Sequence, residues 1–309
     1  MGSTGSRLLS GNSSLVEELE TKIAAFKFTE SALVFNSGYQ LNSGIISHIV
    51  GASDVVFGDK QIHASMVEGC VRSKAKLIRF KHQSLEHLEY LLKKNRPSYK
   101  KALIMIESLY SMDGDKAPLS DLIRLSKNYK CELYVDEAHA FGVYGENGEG
   151  LVSKKLATDI SYQVGTFGKA YGSSGAFIAC SESFKASLIN SCKAFIYSTA
   201  LPLPVVAWNL AAVELMPSLS ERRQKLYHLC AYAASLFSCN WGSYICPYIV
   251  GDSEKTVELS AALKEKGLWT LPIRPPTVQA SSSRLRLSLT YWHSESDLTI
   301  LYQAIKNCT

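Results

Sequence analysis

The 309-residue chain is 46% hydrophobic and 20% charged, with 33 Lys+Arg against 28 Asp+Glu and a formal net charge of +5. This is an ordinary globular composition, with length for about two domains, and it excludes a disordered or collagen-like chain. With no lysine/arginine block, nucleic-acid binding is not expected. No apolar run reaches membrane-spanning length and no charged-then-apolar signal peptide is present, so no membrane partner is expected either. The eight cysteines form no Cys-x-x-Cys pair and have no histidine beside them at metal-ligand spacing. Reduced thiols in a cytoplasmic protein without a metal are therefore expected.

The first thirteen residues are rich in glycine and serine and read as a loop. Ser13 or Ser14 can cap a helix that carries Leu15, Leu19, Ile23 and Phe26 on one face. Ala32 to Phe35 is a short apolar strand ending at Asn36-Ser37-Gly38-Tyr39, and a helix resumes from Leu41 to Val50. Such a strand–glycine–helix junction points free backbone N–H groups at an anion.

Val55 to Phe57 and Leu77 to Phe80 are strand-like, with a helix around Ser65 to Ser73 between them. A helix spans Leu85 to Lys94. Ala102 to Ile106 is a continuous apolar strand, as in a parallel sheet covered on both faces. A helix from Leu119 to Tyr129 leads to a strand from Glu132 to Val135, and Gln163 to Phe167 and Gly175 to Ala179 are two more strands. Strands alternating with helices predict a doubly wound α/β domain over residues 1–215.

Beyond Leu201-Pro202-Leu203-Pro204 the pattern changes. Helices are expected from Val205 to Leu215, stopped by Pro217, and from Glu221 to Phe237. A strand from Ile245 to Val250, a helix from Thr256 to Lys266, a strand from Leu285 to Leu289 and a last helix from Glu295 to Lys306 complete a smaller α+β domain, residues 216–309.

Chemistry concentrates in two segments. Thr166-Phe167-Gly168-Lys169 puts a lysine on a glycine-flanked turn after a strand. Thirty-three residues before that lysine, Asp136 opens Asp136-Glu137-Ala138-His139 at the carboxyl end of an apolar strand, where open α/β sheets place ligands. A lysine to form an imine, a carboxylate to hold a pyridinium nitrogen and an imidazole beside the phenolic oxygen are what pyridoxal phosphate (PLP) requires of a protein. Asp136 to His139 also spells a helicase box, but no Walker A loop accompanies it. His63 begins a predicted helix and can stack on a pyridine ring. Ser111 follows the Ala102–Ile106 strand and can join the pocket. Phosphate donors are expected from Gly38 and Tyr39, the Thr166 hydroxyl, and Ser198 and Thr199.

Taken together, Ser6 to Asn12, Asn36 to Tyr39, His63 to Ser65, Ser111 to Asp115, Asp136 to Gly142, Thr166 to Lys169 and Tyr197 to Thr199 resemble, in order, the motifs of the α-oxoamine synthases. The resemblance implies a PLP-dependent transferase of the aspartate aminotransferase-like fold type I. Its large domain would hold a mostly parallel seven-stranded sheet, beside a smaller C-terminal domain. It further implies that Lys169 is the Schiff-base lysine and the base for the α-proton, and that Asp136 and His139 hold the ring nitrogen and phenolic oxygen. By the same resemblance Gly38, Tyr39, Ser111 and Thr166 contact the cofactor, and His63 stacks on the ring and touches substrate. Ser198 and Thr199 would serve the phosphate of the neighbouring subunit in a homodimer with shared active sites.

Within the family, Ile273 to Val278 and Ser283 to Leu287 look most like the branch that makes 8-amino-7-oxononanoate for biotin from L-alanine and a pimeloyl thioester of coenzyme A or a carrier protein. Thr277 would then lie near substrate and Arg286 would be the carboxylate partner. The alternatives are another activity of the family, such as glycine C-acetyltransferase, or a shortened non-catalytic member. Two departures bear on these alternatives. Met1 opens at the glycine–serine loop, where family members carry a preceding segment with an acyl-binding arginine. Val16 stands where histidine is frequent.

Overall fold

The computed structural model describes residues 2–308 as two compact units. The first comprises residues 2–109 and 117–218, the second residues 110–116 and 219–308.

In the first unit the order is α1 (Ser14–Phe26), β1 (Ser31–Phe35), α2 (Gly38–Ile49), β2 (Val55–Asp59), α3 (Ala64–Ser73), β3 (Lys76–Phe80), α4 (Leu85–Asn95), β4 (Ala102–Glu107), α5 (Leu119–Asn128), β5 (Glu132–Asp136), α6 (Lys154–Ala157), β6 (Tyr162–Thr166), β7 (Ala176–Cys180), α7 (Glu182–Ser191), α8 (Lys193–Ile196) and α9 (Leu203–Leu215). The strands form one seven-stranded sheet in the order β1-β7-β6-β5-β4-β2-β3. Pairing from β6 through β3 is parallel, and β7 runs antiparallel to both β6 and β1.

The apolar run of β4 is buried at every position because both faces of the sheet are covered. Alternate side chains serve opposite cores. Leu103 and Met105 join Tyr134, Val164, Ile45, Met66 and Phe195 on one side. Ile104 and Ile106 join Leu133, Val135, Leu88 and Leu122 on the other. Ser37 caps α2 by accepting from Gln40 N, and His63 caps α3 by accepting from Ser65 N through its ring. Ser13 stands at the N-cap of α1, but its hydroxyl makes no capping bond.

Under the loop after β5 lies a buried ion pair. Lys27, just past α1, is fully buried and donates to Glu137 Oε2 and to the Glu149 carbonyl. The other Glu137 oxygen accepts from Leu151 N at 2.7 Å and Val152 N at 3.0 Å. Gly150 completes the seat. Its φ is +111°, and a Cβ there would lie 2.7 Å from the Glu137 carboxylate oxygens.

The second unit holds α10 (Ser220–Leu236), β8 (Ile245–Gly251), α11 (Ser253–Glu265), β9 (Leu271–Ile273), β10 (Ser283–Ser288) and α12 (Glu295–Lys306). Its antiparallel sheet has the order β8-β10-β9. Residues 110–116 join this unit because Arg286 Nε donates to the Ser111 carbonyl at 2.7 Å and the Arg284 guanidinium pairs with Asp113. The division expected between residues 215 and 216 thus falls after Ser218, and one short segment changes sides. Pro217 follows the end of α9 at Leu215, as the sequence predicts. It sits in a single 3-10 turn, Met216–Leu219, between α9 and α10. By length and composition alone, the helical stretch Leu203–Leu236 reaches the size of a membrane span, where the apolar runs of the sequence predict none. The stretch nevertheless carries the fully buried Asn209, whose amide donates to the Ser174 carbonyl at 3.0 Å. α6, α7, α8 and β9 are further additions to the elements expected from sequence.

Replacing Lys27 strands the Glu137 charge in the interior. We expect Lys27→Met to lower the unfolding free energy by about 3–5 kcal/mol in denaturant titration. A loss within about 1 kcal/mol would mean that Glu137 is not held as a buried charge.

Candidate active site

The carboxyl ends of the parallel strands surround a cavity of about 190 Å³ in the first unit. Gly38, Tyr39, Asn42, His63, Ser65, Glu107, Asp136, Ala138, His139, Val164, Gly165, Thr166 and Lys169 line it. The structure therefore brings seven of the expected residues together: Gly38, Tyr39, His63, Asp136, His139, Thr166 and Lys169.

Asp136 closes β5 and is buried. Its Oδ1 accepts from Ala138 N at 2.9 Å and its Oδ2 from Asn42 Nδ2 at 2.9 Å. Three residues on, the His139 ring reaches Lys169, with Nε2 and Nζ 2.7 Å apart. Lys169 belongs to the turn that joins β6 to β7. Thr166 Oγ1 donates to the Gly175 carbonyl at 2.9 Å and accepts from Gly168 N at 3.1 Å, which shapes the start of that turn. Phe141 stacks on Tyr171 at a centroid distance of 4.5 Å and an interplanar angle of 9°. The His139 loop and the Lys169 turn are thereby pinned to each other two residues from each functional side chain.

At α2, Gly38 and Tyr39 occupy the first turn, where helix geometry leaves N–H groups without an intrahelical acceptor. Space is open where a Gly38 Cβ would stand. His63 meets Tyr39 edge-on, with ring centroids 6.4 Å apart. Burial pushes the His63 pKa below its ordinary value; the Asp136 carboxylate opposes this and the Lys169 ammonium reinforces it.

These groups fit PLP. A buried, doubly hydrogen-bonded carboxylate suits a protonated ring nitrogen, the Lys169 amine an aldehyde, and the open helix terminus a phosphate.

The remaining expected residues lie elsewhere. The Ser198 hydroxyl donates to the Ala194 carbonyl at 2.8 Å and accepts from Gln40 Nε2. Together with Thr199 it lines a separate small cleft beside Arg7 and Phe195. Ser111, Thr277 and Arg286 belong to the second unit. There Arg286 donates from Nε to the Ser111 carbonyl at 2.7 Å and from Nη1 to Ser288 Oγ at 2.7 Å. Asn42, Ser65 and Glu107 are site residues that the sequence reading misses. Asn42 stands one helical turn beyond Gly38, a spacing that could have revealed it.

Comparison with known proteins bears on the same chain. The family described as aminotransferase class I and II matches residues 1–305. An 8-amino-7-oxononanoate synthase from Geobacter sulfurreducens is 43% identical over 308 residues, 96% of this chain and 78% of that protein. A serine palmitoyltransferase from S. paucimobilis, solved with PLP and myriocin bound, superposes with a TM-score of 0.94 at 30% identity, covering 99% of this chain and 79% of the other. An 8-amino-7-oxononanoate synthase structure from Francisella tularensis gives 0.84 at 27% identity, covering 98% and 88%. The chain belongs to the aminotransferase class I and II family, as an α-oxoamine synthase of PLP-dependent fold type I.

The electrostatics of His63 can be read directly. By NMR titration we expect its midpoint below 6.5, lower still in Asp136→Asn and higher in Lys169→Ala. The folded state disfavours the imidazolium, so the unfolded chain binds more protons between the two midpoints. This group's contribution therefore erodes as pH falls below the unfolded value.

Proposed function

We infer that this chain catalyses the decarboxylative condensation of L-alanine with a pimeloyl thioester to give 8-amino-7-oxononanoate, a step of biotin biosynthesis. One observation carries the reading: Lys169, His139 and Asp136 converge in one cavity of a chain 43% identical to an 8-amino-7-oxononanoate synthase. PLP, when bound, supplies the electron sink that stabilises a carbanion at the substrate's α-carbon.

The chain's own residues divide the remaining work. Lys169 would hold the cofactor through its aldehyde, and its amine, when uncharged, is the base placed to take the α-proton. It must be uncharged to do so, and the nearby His139 can accept a hydrogen bond from it or share its proton. Asp136 would pair with the ring nitrogen, and its two protein hydrogen bonds fix the orientation of that carboxylate. The first N–H groups of α2 would receive the phosphate, and the Thr166 hydroxyl would join them by turning its proton away from the Gly175 carbonyl. His63, in the lining of the same cavity, would pack on the ring and offer a polar edge to substrate. In the second unit Arg286 has Nε and Nη1 committed to Ser111 and Ser288, which leaves Nη2 for a substrate carboxylate. Thr277 is proposed beside the same substrate.

A homodimer with shared sites completes the reading. Its support is α9, which is apolar but for Asn209 and Glu214 yet leaves Leu203, Trp208 and Leu215 exposed. Ser198 and Thr199, outside the Lys169 cavity, would then serve the partner subunit.

Adding PLP to the purified chain should give a visible absorbance band that borohydride fixes onto Lys169, located by peptide mapping. Lys169→Ala should lose the band and at least about 100-fold in turnover of alanine with pimeloyl thioester. A variant that keeps the band would defeat the assignment of Lys169. Turnover of glycine with acetyl-CoA but not of alanine with the pimeloyl thioester would defeat the substrate assignment.

A further inference from the structure

Four groups, three in the lining of the cavity and Tyr134 buried behind them, form a chain of hydrogen bonds. Tyr134 is fully buried, and its hydroxyl lies 2.6 Å from Asn42 Oδ1. Burial holds that phenol far above its ordinary pKa, with the Asp136 and Cys70 charges acting in the same direction, so the proton stays on the oxygen. A phenol with its proton donates to the Asn42 carbonyl oxygen, which fixes the amide orientation. The two amide hydrogens then go to Asp136 Oδ2 at 2.9 Å and to Ser65 Oγ at 3.0 Å. Ser65 Oγ is thereby an acceptor from Asn42, and its own proton is free for His63 Nδ1 at 2.7 Å. The Ser65 backbone N–H donates to the same ring nitrogen at 3.2 Å, as the cap of α3. His63 Nδ1 is therefore an acceptor from two donors.

We propose that Asn42 and Ser65 are positioning residues that hold His63 as a neutral imidazole protonated on Nε2, so that it offers the cavity a hydrogen-bond donor and not a base. One amide thus orients two groups at once, the carboxylate under the ring nitrogen and the imidazole over the ring. The donor suits an oxygen acceptor on the bound substrate, a carboxylate or a thioester carbonyl, and it leaves Lys169 as the proton acceptor of the site. The charged and titratable groups facing His63 are Asp136 from β5, Lys169 from the β6–β7 turn and Tyr39 from α2. None of them bonds Nδ1.

The functional part of the proposal rests on the cavity being the PLP site, but its test does not. In the full chain with histidine ring nitrogens labelled by nitrogen-15, the His63 signals, assigned by their loss in His63→Gln, should show Nδ1 bare and Nε2 protonated at neutral pH. Ser65→Ala removes the hydroxyl donor and leaves the backbone donor. It should shift the tautomer ratio toward Nδ1–H by about five-fold, the worth of one neutral hydrogen bond. Wild-type protein with Nδ1 protonated would overturn the proposal without any variant. So would a folded Ser65→Ala protein whose ratio stays within about two-fold of wild type. Absence of the PLP band together with the expected tautomer would refute the cofactor reading alone and leave the relay standing.

Discussion

A lysine and a glutamate without access to water hold this site together. Lys27 ends α1, Glu137 follows the last residue of β5, and neither can be solvated where it lies. Their burial is tolerable only with further hydrogen bonds: the Glu149 carbonyl accepts from Lys27, and the Leu151 and Val152 amides donate to Glu137. The consequence is geometric. The loop carrying His139 cannot drift without uncovering a buried charge, and Asp136, one residue upstream, is fixed with it. Phe141 transmits the constraint by stacking on Tyr171, two residues beyond Lys169. Carboxylate, imidazole and amine are thus three outputs of one rigid assembly.

Sheet topology supplies the other half. Parallel strands from β2 to β6 end on the same side, so Asp136 and Thr166 arrive together whatever the lengths of the helices between them. Reversing β7 matters because it makes the β6–β7 connection a short turn at that same edge. A parallel neighbour would have required a crossover, and Lys169 would sit on a long connection with little to hold it. Gly165 permits the reversed strand to lie close: a Cβ there would meet the Phe177 ring at 2.4 Å.

How much of this is legible in the sequence follows the locality of the signals. Lys169, Asp136, His139, His63, Gly38, Tyr39 and Thr166 sit at strand ends or helix starts, and such positions show as breaks in hydrophobic period. The seven strands are legible for the same reason, since a short, continuous apolar run between turn residues fits a strand covered on both faces. Asn42 and Ser65 lie inside helices, where a polar residue usually faces solvent; only the tertiary packing of α2 on α3 turns them inward. Residues 110–116 read as a loop of the large domain because nothing local shows that arginines far along the chain bind them.

The eight cysteines carry a consequence of their own. Cys70, Cys180, Cys192, Cys230 and Cys246 are buried, and burial pushes Cys70 and Cys180 up to about 12 and Cys230 to about 11. A sulfur kept in its thiol form is a poor nucleophile, and none of the eight lines the cavity that holds Lys169. A reactive carbonyl entering there meets the Lys169 amine and no thiol, so the fold keeps an electrophilic vitamin away from the sulfur chemistry that a looser chain of the same composition would invite.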